Sequence, residues 1–283
     1  MLMRISSGVA IGAAAVLGLL CAAAPGAAQQ RAPRNVILAT TTSLHDSGLL
    51  DTLAPLFERA TGYHLRVVAV GSGQALKMGE RGDADVVFSH SPAAEEAFMA
   101  RGFGTRRQVV ATNYFTIVGP PDDSARVREA PSASDALRRI AAARAVFVSR
   151  GDSSGTHVRE IALWRAAGGR PEWPGYLETG QGQAATLLVA FERRGYTLTD
   201  RSTFVALRGH VDMVPLRPDE PALLNVYRII ELNPAGRPHL NVPGGRAFAD
   251  WLMTPPAQDL IAQFGAARFG EPLFRAARGV EPQ

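Results

Sequence analysis

The run Phe147-Val148-Ser149-Arg150-Gly151-Asp152-Ser153-Ser154-Gly155-Thr156-His157 crowds an arginine, several hydroxyls and two glycines between an apolar stretch and a helical pattern. Residues 145–148 read as a short buried strand, and Val158, Ile161, Ala162 and Trp164 continue as a helix. Asp152, Ser153 and Ser154 are helix-start residues, with Asp152 as the expected N-cap. A helix start carries unpaired N–H groups and a partial positive charge. An arginine and hydroxyls beside it therefore make a ready anion site.

A second group of such turns lies earlier in the chain: Thr40-Thr41-Thr42-Ser43, Gly71-Ser72-Gly73 and Ser89-His90-Ser91. Each closes an apolar run, at residues 35–39, 65–70 and 85–89. Between and after them come helical patterns at 49–61, 74–79 and 92–101, the first with Leu49, Leu50, Leu53, Leu56, Phe57 and Ala60 on one face. The order β-α-β-α-β-α is the signature of a parallel sheet flanked by helices. In such sheets ligands sit at the carboxyl ends of the strands. A serine or threonine at any one of these turns is ordinarily a helix cap; their common placement on one sheet edge is what singles them out.

Residues 109–118 form a long strand pattern ending at Gly119-Pro120-Pro121, and an alanine-rich helix follows at 132–143. Further helices are expected at 184–193 and, opening with Thr197-Leu198-Thr199-Asp200, through Val205 and Leu207. Strands are expected at 211–216 and 226–232, and helices at 244–252 and from Pro255 to about Phe264. One strand and two helices are too little for a third domain, so the tail should return to complete the first. The expected division is residues 29–112 with 217–283 as one lobe and 113–216 as the other, hinged at 109–118 and 216–221.

Residues 1–28 read as a signal peptide: Arg4, an apolar stretch over 9–24, and Gly26-Ala27-Ala28 before Gln29. The single cysteine, Cys21, falls inside it, so the mature chain is expected to use no disulfide, thiolate or cysteine-bound metal. The mature protein is expected to be exported and soluble. The formal net charge is +4, and 29 of the 30 basic residues are arginines scattered along the chain. With no basic run and few aromatics, nucleic-acid binding is not indicated.

Placed together, Thr41, Thr42, Ser43 and Ser72 face Arg150, Ser153, Ser154 and Thr156, with Gln181 beside them. This set supplies donors and few obligatory acceptors. It suits a fully deprotonated tetrahedral dianion such as tungstate, molybdate or sulfate. Monohydrogen phosphate fits less well because its proton needs an acceptor, a part only Asp152 could take. Two other chemistries fit the residues less well. Gly151-Asp152-Ser153-Ser154-Gly155 with His157 resembles a serine-hydrolase loop, but a triad needs a base oriented by a carboxylate. The six histidines show no i, i+4 pairing, so a metal site is not indicated, and His45-Asp46 reads as a loop hydrogen bond.

The chain resembles the TupA-type tungstate-binding proteins of ABC transporters, within the phosphate/sulfate-like periplasmic binding proteins. The likeness rests on Leu38 to Ser43, Asp46-Ser47-Gly48-Leu49-Leu50, Ala69 to Leu76, Gly82-Asp83-Ala84-Asp85-Val86, Phe147 to His157, Tyr176 to Gly182 and Tyr196 to Arg201. It implies a bilobal α/β fold of the type II periplasmic-binding-protein kind, with parallel or mixed sheets, flanking helices and a hinge. It also implies a periplasmic protein, expected to be monomeric, that carries tungstate or molybdate to an inner-membrane permease, uses no cofactor and catalyses nothing. A phosphate- or sulfate-binding protein of the same fold is the alternative. Anion contacts would fall on Thr41, Thr42, Ser43, Ser72, Arg150, Ser153, Ser154 and Thr156. The resemblance further implies an arginine just before the crossover strand. Arg106 and Arg107 both occupy that place, and Arg107 is carried forward. The chain departs from the family at Asn113-Tyr114-Phe115, where an Asn-Asp-Phe pattern is usual.

Overall fold

Parallel pairing of the first two strands sets the frame, and each later element adds to that edge. The computed structural model describes residues 34–277; the expected signal peptide lies outside them. The strands are β1 (Asn35–Thr41), β2 (His64–Val70), β3 (Val86–Ser89), β4 (Gly104–Gly119), β5 (Phe147–Ser149), β6 (Tyr176–Glu178), β7 (Thr197–Asp200), β8 (Val214–Pro215), β9 (Leu224–Leu232) and β10 (Arg275–Ala276). The helices are α1 (Thr42–Asp46), α2 (Leu49–Thr61), α3 (Ser72–Arg81), α4 (Pro92–Ala100), α5 (Ala133–Ala142), α6 (Gly155–Ala166), α7 (Gln183–Glu192), α8 (Arg201–Leu207), α9 (Val242–Leu252), α10 (Pro255–Gln263) and α11 (Ala266–Phe269).

The main sheet runs β2-β1-β3-β9-β4-β10, parallel from β2 to β3 and antiparallel beyond. It is therefore mixed, because the chain returns from the far side as β9 between β3 and β4. Strand β4 changes partners along its length. Up to Tyr114 it pairs with β9; from Phe115 it pairs with β7, and at Val118 and Gly119 with β8. Beyond β7 lie β5 and β6, parallel to each other, with Phe147 bridged to Tyr196. One strand thus belongs to two sheet regions, as a crossover strand must.

Amphipathic spacing explains the packing. Leu49, Leu50, Leu53 and Phe57 of α2 are buried, and Phe57 meets Phe248 and Trp251 of α9 edge-on. A second cluster gathers Phe115, Ile117, Leu137, Ile140, Trp164 and Tyr196 around α5 and α6. A third joins Ala75, Leu76, Val87, Phe98 and Ile230. Trp164 and Phe248 are fully buried, and Phe191 and Trp251 are partly buried against the core.

Several expectations need correction. Thr197-Leu198-Thr199-Asp200 is a strand, not the first turn of a helix; Asp200 then caps α8 by accepting from Ser202 N–H. The strand expected at 211–216 shrinks to Val214–Pro215. The crossover strand begins at Gly104, five residues before the expected start at Val109. Helix α3 starts at Ser72, so Ser72 is its first residue and not a turn residue. Ser154, not Asp152, is the N-cap of α6 and accepts from His157 N–H.

Candidate oxyanion site

Four helix starts converge at the carboxyl edge of the sheet. Gly71 and Gly73, at the start of α3, lie against Ser153 and Ser154, at the start of α6. A β-carbon at Gly73 would stand 3.0 Å from Ser153, and Gly73 N–H donates to the Ser153 carbonyl at 3.1 Å. Thr42 begins α1 and meets the start of α7: its hydroxyl oxygen accepts from Gln183 N–H at 3.4 Å, and Asp46 accepts from Ala184 N–H at 3.1 Å. Glycine permits these approaches because any larger residue would hold the helix starts apart. The aligned N–H groups and partial positive ends make the junction electropositive.

Arg150 stands among them with 3 % of its surface exposed. Its guanidinium donates to Asp152 Oδ2 at 2.6 Å, Gln181 O at 3.0 Å, Thr42 Oγ1 at 3.2 Å and Gln183 Oε1 at 3.4 Å. Burial pulls its pKa down from the usual arginine value, and the neighbouring Asp152 carboxylate pulls it back. Asp152 is held on both oxygens, since Oδ1 accepts from Ser154 N–H at 3.0 Å. Burial likewise raises the Asp46 carboxyl, against the opposing Ala184 N–H.

The hydroxyls differ in what they have left to give. Ser72 Oγ is buried and has no hydrogen-bond partner. Thr42 Oγ1 accepts from Arg150 and Gln183, which leaves its proton unassigned. Ser154 Oγ accepts from His157 N–H and also keeps its proton. Thr156 donates to Gln183 Oε1 at 2.8 Å. Thr41 and Ser43 contact each other at 3.0 Å, and Ser43 also meets His90. Ser153 is exposed and joins through its carbonyl.

The structure thus brings Thr41, Thr42, Ser43, Ser72, Arg150, Ser153, Ser154 and Thr156 into one junction. It does not bring Arg107 there. Arg107 pairs with Glu95 at 3.1 Å and Glu96 at 3.4 Å, because α4 presents both carboxylates to β4. Arg106 pairs with Glu231 and Asp250. His45-Asp46 is not a loop hydrogen bond of its own, since Asp46 reaches across to α7. The His157 ring contacts Ser149 and Glu160 and not the Ser154 hydroxyl, so the hydrolase arrangement is not assembled. At the family departure, Asn113 donates to Asp200 at 2.8 Å and Tyr114 lies under Arg275. Among the described residues no group of three or more His, Cys, Asp or Glu is placed to hold a metal.

Sequence reasoning placed Ser89-His90-Ser91 on this edge without giving His90 a role, and it missed Asn225, Asp200, Tyr227 and Gln183. His90 Nδ1 lies 2.9 Å from Asn225 Oδ1, and burial lowers its pKa to about 4. His90 also lines a cavity of about 710 Å³ with Phe115, Val158, Arg159 and Arg228, which none of the predicted hydroxyls and not Arg150 lines.

Residues 23–256 match the model of a PBP superfamily domain. A tungstate-binding protein TupA from Peptoclostridium acidaminophilum is 42 % identical over 246 residues, spanning 86 % of each chain. The chain belongs to the TupA family. Two solved structures agree with this placement. The tungstate ABC transporter structure from Geobacter sulfurreducens is 43 % identical to this TupA-family chain, covers 81 % of it and 98 % of its own length, and superposes with a TM-score of 0.75. The TupA structure from Desulfovibrio alaskensis is 42 % identical, covers 86 % and 98 %, and has a TM-score of 0.71. The α/β architecture with its mixed sheet is thus the periplasmic-binding-protein fold expected of this TupA-family member. Among the described residues no helix is long and apolar enough to cross a membrane.

Proposed function

We propose that this protein captures a tetrahedral oxyanion at Arg150, tungstate with molybdate accepted beside it, and hands it to an ABC permease. The observation that carries this is Ser72. Its buried hydroxyl has no partner, and it lies between Gly71 and Gly73, which pack against Ser153 and Ser154 of the arginine loop. A buried donor without an acceptor is costly, and an oxyanion would supply the acceptor. Thr42 and Ser154, at the same junction, keep protons that no observed bond uses. Thr41, Ser43, Ser153 and Thr156 complete its walls. Charge-assisted hydrogen bonds each contribute about 1.5–3 kcal/mol, so a few suffice for tight capture.

The preference for a proton-free anion rests on the balance of donors over acceptors at the junction, where the Asp152 carboxylate is already engaged by Arg150 and by Ser154 N–H. The names of the relatives support tungstate. Residues 29–112 with 217–283 and residues 113–216 would act as two lobes closing about β4. The protein would be exported after cleavage near Ala28 and act as a periplasmic monomer, without cofactor and without catalysis. Calorimetric titration of the mature protein with tungstate, molybdate, sulfate and phosphate tests this. Tungstate and molybdate should bind at least about a hundredfold more tightly than phosphate, a gap of nearly 3 kcal/mol. Tighter binding of phosphate would refute the proposal and leave the fold standing.

A further inference from the structure

A chain of buried hydrogen bonds runs behind the site. Ser43 Oγ lies 3.1 Å from His90 Nε2, and His90 Nδ1 lies 2.9 Å from Asn225 Oδ1. Asn225 Nδ2 donates to Asp200 Oδ2 at 2.7 Å and to Asn113 Oδ1 at 3.0 Å. All of these residues are buried. The chain joins α1, the end of β3, β4, the end of β7 and β9.

Every proton in it can be assigned from one fixed point. The Asp200 carboxylate receives Asn113 Nδ2, Asn225 Nδ2, the Ser202 N–H and hydroxyl, and the Tyr227 phenol. With both oxygens surrounded by donors it acts as acceptor only. Asn225 must therefore turn its NH₂ toward Asp200 and its carbonyl toward His90. His90 must then donate from Nδ1. Burial favours the neutral ring, with Asp200 opposing that effect and Arg150 and Arg159 adding to it. A neutral ring protonated at Nδ1 has a bare Nε2, which can only accept. The hydroxyl of Ser43 is left to donate to it. Tyr227 gives its own proton to Asp200, and its oxygen, at 3.4 Å from Ser43 Oγ, is a poorer acceptor for the Ser43 proton than Nε2 at 3.1 Å. Ser43 can then only accept from its remaining neighbour, Thr41.

We propose that His90, held as the Nδ1–H tautomer by Asn225 and Asp200, is a positioning residue that aims the Ser43 hydroxyl away from the oxyanion. Ser43 is thereby a wall of the site, not one of its donors, and anion recognition falls to Arg150, Thr42, Ser72 and Ser154. Only that last consequence rests on the proposed oxyanion function. The tautomer is a property of the protein alone.

The test is a long-range ¹H–¹⁵N correlation spectrum of the labelled, ligand-free mature protein at pH 7, with the His90 ring assigned by its loss in His90→Gln. The expected spectrum shows a protonated Nδ1 and a bare Nε2. A ring protonated at Nε2, alone or with Nδ1, overturns the proposal whether or not the protein binds tungstate.

Discussion

Gly155 sits so close to His90 that a β-carbon on it would stand 2.7 Å from both the ring Nδ1 and the carbonyl oxygen. This contact joins the first residue of α6 to the end of β3, on opposite sides of the proposed cleft. Gly155→Ala should therefore push the two apart and loosen the junction around Arg150. Alanine favours a helix over glycine by about 1 kcal/mol, so α6 itself should not suffer. The expected outcome is at least a tenfold loss of tungstate affinity with unchanged circular dichroism. Unaltered affinity would mean that the close approach is not needed for capture.

Ser72 offers the reverse separation of stability from function. Its hydroxyl is buried without a partner, so removing it relieves a cost in the unliganded protein. Ser72→Ala should melt at the parent temperature or slightly above. It should also bind tungstate about tenfold more weakly, the loss of roughly one hydrogen bond to a charged group. A lower melting temperature with intact affinity would assign Ser72 to packing.

Arg150 holds Asp152, Gln181, Thr42 and Gln183 through a planar fork that lysine cannot reproduce. Arg150→Lys should keep the charge and still lose affinity. Arg150→Ala should lose more, at least tenfold, in an isothermal titration. Equal affinity in all three proteins would reduce Arg150 to the partner of Asp152.

Acid stability should carry the mark of His90. Its pKa falls from 6.5 to about 4 on folding, so between these values the unfolded chain binds more protons. Stability contributed by keeping the ring neutral is complete above pH 6.5, drains as pH falls toward 4, and then levels off. The span is on the order of 3 kcal/mol. His157 works the other way: its bond to Glu160 raises its pKa, so its contribution is present at low pH and is lost as pH rises. Urea denaturation of wild type and His90→Gln from pH 7 to 4 isolates the first effect. The difference between them should shrink or invert as pH falls. Parallel curves would show that His90 does not titrate in this window.

Local pattern made much of this legible. Leu49, Leu50, Leu53 and Phe57 announce α2, and the hydroxyl turns after β1 and β3 announce the sheet edge. Thr197 to Asp200 misled because Asp200 is a good helix cap, and it does cap α8. The same four residues also extend β4's ladder, which only tertiary pairing reveals. Arg107 misled in a similar way: sequence places it before the crossover strand but does not show that α4 turns Glu95 and Glu96 onto it. The His90–Asn225 bond spans 135 residues, and no periodicity marks a contact so remote. Nothing in the sequence marks Gly155 as special; its close approach to His90 is a tertiary fact.

The most direct measurement is an anomalous difference map from crystals of the mature protein grown with tungstate, collected at a tungsten absorption edge. The expected result is one dominant peak within hydrogen-bonding reach, through its oxygens, of the Arg150 guanidinium, Ser72 Oγ and the N–H groups opening α3 and α6. A dominant peak in the cavity lined by Phe115, Arg159 and Arg228, or on the surface, would contradict the account.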